Sequence, residues 1–125
     1  MAKVTGLGGA FLRADNPEAL YSWYEKHLGI SVSDGCFMFP SSAQRGRIVV
    51  AFFPRSSEYF PTSQLAMLNF QVDDLDGTIR TLQAKGIKIT DGPTTTTSGS
   101  RFIFIDAPDG YEIELIERKP GTAIV

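Results

Sequence analysis

Glu114 stands in YEIELIE, Tyr111 to Glu117, the last strand-like run of the chain. Alternation along a strand sends Glu112, Glu114 and Ile116 to one face and Ile113, Leu115 and Glu117 to the other. A carboxylate flanked by apolar neighbours serves as a metal ligand, as a buried acid with another task, or as a solvated charge. Other chemistry-bearing residues are scarce. Cys36 is the single cysteine and His27 the single histidine. One cysteine excludes an internal disulfide and any zinc site built from several cysteines. GCFMF begins as a strand does, so Cys36 reads as a small buried hydrophobe.

The elements that must position Glu114 occur as two copies of one pattern. GAFLRADNPEALYSWYEKHLGISV and LNFQVDDLDGTIRTLQAKGIKI each read as strand, polar cap, helix, glycine stop and second strand. In the first copy Leu20, Trp23, Tyr24, His27 and Leu28 share one helical face, Asn16 and Pro17 fit N-cap and N1, and Gly29 stops the helix. In the second, Leu75, Ile79 and Leu82 repeat the spacing, Asp73 or Asp74 caps, and Gly86 ends it. Strand-patterned runs follow each helix: Ile30 to Ser33, Cys36 to Pro40 and Arg47 to Phe53, then Ile87 to Thr90, Arg101 to Asp106 and Tyr111 to Glu117.

These runs predict an α+β fold of two βαβββ modules, about residues 1–55 and 64–118, forming one domain over residues 1–125. The modules make a curved, mostly antiparallel eight-stranded sheet with the helices on its convex side, so the concave side is free for a ligand. The Pro- and Ser-rich linker PRSSEYFPTSQ joins them, and its Tyr59 and Phe60 are placed to cover the cavity mouth or to pack at a dimer interface. TDGPTTTTSGSR is longer than a hairpin needs and reads as a mobile flap or a surface insertion.

With 125 residues, 42% hydrophobic and 21% charged, the chain is the size and composition of one globular domain. No apolar run approaches the roughly 20 residues of a membrane span. The net charge is −2 and the basic residues are scattered, Arg45 and Arg47 being the nearest to a cluster, which excludes a nucleic-acid footprint. The N-terminal stretch breaks into glycines without a secretory apolar core, so a cytoplasmic protein is expected.

The stretches FLRADNPEALYSWYEKHLGI, NFQVDDLDGTIRTLQAKGIKI and FIDAPDGYEIELIE resemble the vicinal oxygen chelate superfamily, which includes glyoxalase I, bleomycin and fosfomycin resistance proteins and extradiol dioxygenases. The resemblance implies a homodimer and, in the metalloenzymes, four ligands on the concave face. Those positions fall on Gly9, near Val50, on Met67 and on Glu114, and only Glu114 keeps a ligand side chain. A catalytic zinc needs about three protein ligands and a non-haem iron two His and a carboxylate, so no metal or other cofactor is expected. Ala107 replaces the usual Asp of the DPDG turn. The resemblance places His27 on the convex packing side, as structure.

Glu114 keeps three readings on that face. It is a remnant held by Asn69 or Gln71, a general acid or base in a pocket lined by Phe11, Val50, Phe52 and Met67, or a charge in water. Gly9 leaves space for a guest or for a neighbouring Phe. Arg13, on the parity of Gly9 and Phe11, is a candidate to meet an anionic ligand or to pair with Asp15 or another sheet carboxylate, and Arg101, after Gly99 and Ser100, to close on a ligand or to stand exposed at a strand start. The expected function is metal-independent binding of a small, partly apolar organic molecule. The alternatives are a glyoxalase-like lyase, isomerase or dioxygenase using Glu114 as base or with an unrecognised metal, and a structural dimer whose cavity its own side chains fill.

Overall fold

The structure, a computed structural model, describes residues 3–40, 47–108 and 110–119. Arg45 and the Asp109 of the PDG motif lie outside them. The elements run β1 (Val4–Ala14), α1 (Pro17–Leu28), β2 (Phe37–Pro40), β3 (Arg47–Pro54), β4 (Ala66–Val72), α2 (Leu75–Ala84), β5 (Ile89–Thr95), β6 (Arg101–Asp106) and β7 (Glu112–Glu117). The fold is α+β, and its sheet has seven strands among the described residues, in the order β2-β3-β1-β4-β7-β6-β5. β1 pairs with β3 and β4 with β7 in parallel; the remaining pairings are antiparallel.

The expected eighth strand, Ile30–Ser33, is reduced to a single bridge between Ser33 and Cys36. Asp34, with φ at 52°, and Gly35, with φ at 78°, turn the chain too tightly for a longer ladder. The expected flap is also mostly strand. β5 takes in Thr90 to Thr95, and a short turn, closed by Thr96 N–H to the Ser100 carbonyl at 2.7 Å, leads into β6. Pro93 is tolerated because β5 is the sheet edge.

Both helices start as their sequences dictate. Asn16 Oδ1 accepts from the Ala19 N–H with Pro17 at N1, and Asp74 Oδ1 accepts from the Gly77 N–H, each at 3.1 Å. α2 buries Leu75 against Val72, Ile103, Ile105 and Leu115. α1 differs from expectation. Tyr21 and Tyr24 turn to the sheet and pack on Phe37 and Phe52, while Trp23 and Leu28 are 51% and 59% exposed. His27 is exposed as well and rests on Trp23, with ring centroids 5.0 Å apart.

The other face of the sheet carries the larger apolar cluster. Phe11, Val49, Met67, Phe102, Phe104 and Ile116 are buried there with Phe60, and Met38, Ala51, Phe53 and Tyr59 pack against them. Phe60 and Tyr59 come from the β3–β4 connection, which crosses this face as a strap.

Candidate functional site

The strap is held by Arg13. Its guanidinium donates to the carbonyls of Pro54, Arg55 and Ser57 before Tyr59, and to those of Phe60, Pro61 and Gln64 after it, at 2.6–3.3 Å. It also lies 4.3 Å from the Phe60 ring centroid. A planar cation with five N–H donors suits such a ring of carbonyls, and a buried guanidinium needs them. Arg13 is therefore a structural clamp, its donors spent on backbone.

The clamp sets Tyr59 over the sheet. The Tyr59 ring stacks on Phe53 at 5.3 Å and meets Phe104 edge-on at 5.5 Å, with Phe11 and Phe102 at 5.9 and 6.4 Å. Its hydroxyl donates to Glu114 Oε1 at 2.6 Å. Glu114 lies between Asn69 on β4 and Phe104 on β6 and is fully buried. Asn69 Nδ2 donates to its second oxygen.

Burial in this apolar cluster pushes the Glu114 pKa up to about 7, although the Tyr59 hydrogen bond, the Arg118 charge and the Asn69 hydrogen bond all favour the anion. The same burial, with Glu114 opposite, raises Tyr59 and keeps its phenol protonated. Arg118, also buried, donates to the carbonyls of Arg47 at 2.8 Å and Gly8 at 2.9 Å. Desolvation lowers its pKa, and Glu114 opposes that effect. The site is thus a buried acid near its midpoint at neutral pH, under an aromatic lid.

Of the residues expected here, the fold brings Phe11, Met67, Asn69 and Glu114 together on this face. Val50 and Phe52 are on the other. β1 and β3 align Phe11 with Ala51 and Leu12 with Phe52, so Val49, Ala51 and Phe53 face the site and Phe52 meets Tyr21 and Tyr24. A one-residue offset in a strand exchanges its faces. Arg101 alternates with Phe102 and Phe104 and so points to the α2 side, where it pairs with Asp76 at 3.0 Å.

Gly9 leaves no space for a guest. A Cβ there would lie 1.8 Å from the Val49 carbonyl oxygen, so the glycine serves the close approach of β1 to β3. Gly8 is the neighbour that makes room in the site, since a Cβ there would lie 1.8 Å from Asn69 Oδ1. Two residues were missed. Arg118 shares the strand parity of Glu114 and Ile116, a signal open to inspection, whereas Gly8 shows no signal by itself.

The donor set does not fit a metal ion. Gly9 offers no side chain, Val50 faces away and Met67 offers only a thioether. The groups touching Glu114 are an O–H and an N–H that point donors at the carboxylate, and Arg118 adds positive charge. Among the described residues no group of three His, Cys, Asp or Glu side chains could hold one.

The match to known proteins is one of fold. Solved structures share the fold over almost the whole chain. A Streptomyces coelicolor methylmalonyl-CoA epimerase variant in complex with 2-nitronate-propionyl-CoA superposes with a TM-score of 0.72 at 17% identity, covering 92% of this chain and 98% of that one. The methylmalonyl-CoA epimerase from Mycobacterium tuberculosis gives 0.66 at 24% identity, covering 94% and 90%. A probable chloroplastic lactoylglutathione lyase of Arabidopsis thaliana is 44% identical over 50 residues, 39% of this chain and only 14% of that protein. The family model described as Glyoxalase/Bleomycin resistance protein/Dioxygenase superfamily matches residues 6–115, and the chain belongs to that superfamily.

Proposed function

We propose that the chain binds a small, partly apolar organic molecule, without a metal, on the sheet face that carries Glu114. The observation that carries this reading is the composition of that face: one buried, protonatable carboxyl surrounded by Phe11, Phe53, Met67, Phe102 and Phe104. Apolar walls with one polar anchor are the usual make-up of a small-molecule site. The reading includes one domain of two modules, about 1–55 and 64–118, a cytoplasmic setting and a homodimer. Among the described residues no helix is long and apolar enough to cross a membrane.

Ligand-observed NMR on chelator-treated protein tests the reading. Fragments with an apolar body and one polar group should bind and perturb the ring resonances of Tyr59 and Phe104. Binding that requires added divalent metal, or no fragment on this face at all, counts against it.

A second reading keeps the site and makes it an enzyme, a lyase, isomerase or dioxygenase of the kind first expected, with Glu114 as general base. What favours it is the burial of Glu114, which pushes its carboxyl up to about 7, where one group both accepts and returns a proton efficiently. The named relatives are epimerases and a lyase, which supports the same direction. Deuterium washing into a candidate carbonyl substrate from solvent, and lost in Glu114→Gln, is its test.

A further inference from the structure

The cup around Tyr59 is made by the sheet, while Tyr59 itself is not part of the sheet. Phe11 comes from β1, Phe53 from β3, Phe102 and Phe104 from β6 and Glu114 from β7. Together they surround one planar ring and accept one hydrogen bond from its hydroxyl at 2.6 Å. The occupant of that cup is supplied by a connection.

Two observations mark Tyr59 as displaceable. The Arg13 clamp engages carbonyls on both sides of it, but neither the Glu58 nor the Tyr59 carbonyl. The side chain can therefore rotate out while the strap stays tied. Beside it lies a cleft of about 340 Å³, lined by Glu58, Tyr59, Phe60, Thr90, Phe104 and Glu112, which gives the ring somewhere to go and a ligand a way in.

We propose that this cup is a binding site for phenol-type ligands, a planar aromatic ring bearing a hydroxyl donor, and that Tyr59 is its internal occupant, displaced on binding. The proposal rests on the small-molecule reading above and names the ligand class. Ring recognition comes from stacking on Phe53 and edge contact with Phe104; hydroxyl recognition comes from the Glu114 carboxylate. A ligand of this kind repeats each contact that Tyr59 gives up. Its apparent affinity is lowered only by the competition of a tethered copy of itself.

The experiment titrates 4-fluorophenol and fluorobenzene against wild type and Tyr59→Ala, read by fluorine NMR with proton contacts to Phe104 to place the probe. Wild type is expected to prefer the phenol by about tenfold, the effect of one charge-assisted hydrogen bond. Tyr59→Ala, with no self-ligand, is expected to bind the phenol at least about tenfold more tightly than wild type. Tyr59→Phe keeps the ring and serves if the alanine variant does not fold: losing the anchor to Glu114 should ease displacement and tighten both probes alike, with the preference for the phenol kept.

Equal affinity for both probes on this face overturns the ligand class and leaves the small-molecule reading standing. Weaker phenol binding in both Tyr59 variants than in wild type makes Tyr59 part of the wall and overturns its role as occupant. No probe on this face of any of the three proteins overturns both.

Discussion

Gly8 and Asn69 are fitted to each other: a Cβ on Gly8 would stand 1.8 Å from Asn69 Oδ1, so the bare backbone of β1 is what leaves room for the Asn69 amide that reaches Glu114. Gly8→Ala should therefore act at a distance, through Asn69. Overpacking a filled site costs about 1–3 kcal/mol, and here the displaced amide would also release Glu114. The expected result is a lower denaturation midpoint together with a further rise in the Glu114 pKa, followed by carboxyl NMR. A stability loss with an unchanged titration would mean that the amide keeps its hold.

Arg13 offers a second test, because its work is geometric rather than electrostatic. Lysine preserves charge but presents three donors from one point and cannot span carbonyls from Pro54 to Gln64. Arg13→Lys is expected to destabilise by about 2–4 kcal/mol, since most of the carbonyls lose a partner in a buried setting. Limited proteolysis should then cut within residues 55–63 well before global unfolding. Cleavage at the wild-type rate would show that the aromatic packing holds the strap alone.

How much of this was legible in the sequence differs by the kind of signal. Helix ends were, because Asn16 with Pro17 and Asp74 with its following turn act through local hydrogen bonds that no tertiary contact overrides. Strand parity was legible on β7, where Glu114 sits among obvious alternation, and misleading on β3, where I-V-V-A-F-F is apolar on both faces and conceals which set looks inward. Arg13 and Arg101 are indistinguishable as isolated cations. One closes on six carbonyls far along the chain and the other pairs with Asp76, and only the folded chain decides that. A glycine at position 9 suggests vacancy, yet a Cβ there would meet the Val49 carbonyl, so the missing side chain signals close packing.

The donors around Glu114 predict indifference to metals. Tyr59 O–H and Asn69 N–H already serve the carboxylate, and a divalent ion would have to displace both and sit near Arg118. Neither a chelator nor added zinc or manganese should move the melting temperature, and elemental analysis should find less than one transition metal per chain. A stoichiometric metal lost in Glu114→Gln would reverse the reading of the site.

Exposed apolar side chains bear on assembly. Trp23 and Leu28 on α1, and Leu65, Leu68 and Tyr111 around the β4–β7 seam, are each more than two-fifths exposed, apolar surface that a second copy of the chain would cover. Sedimentation at micromolar concentration is expected to give twice the 13.7 kDa chain mass. A single species at the chain mass would assign these surfaces to something other than a second copy.

The titration of Glu114 gives the most direct prediction. Burial raises its folded pKa from 4.5 to about 7, so the folded state binds the proton more tightly than the unfolded chain does. The benefit is complete below the unfolded value and is lost as pH climbs from about 4.5 through 7, a difference of roughly 3 kcal/mol in all. Glu114→Gln removes the ionisation. Its oxygen still accepts from Tyr59, and its new N–H₂ group is satisfied if Asn69 turns its amide, because Asn69 Oδ1 has no hydrogen-bond partner among the described residues. The variant should match or fall slightly below wild type at pH 4.5, and should gain on it steadily towards pH 8. Thermal melts of both proteins across that range decide the matter. A variant that is equal at pH 4.5 but less stable at pH 8 would mean that Glu114 is ionised and well paired in the fold, with Tyr59, Asn69 and Arg118 outweighing desolvation.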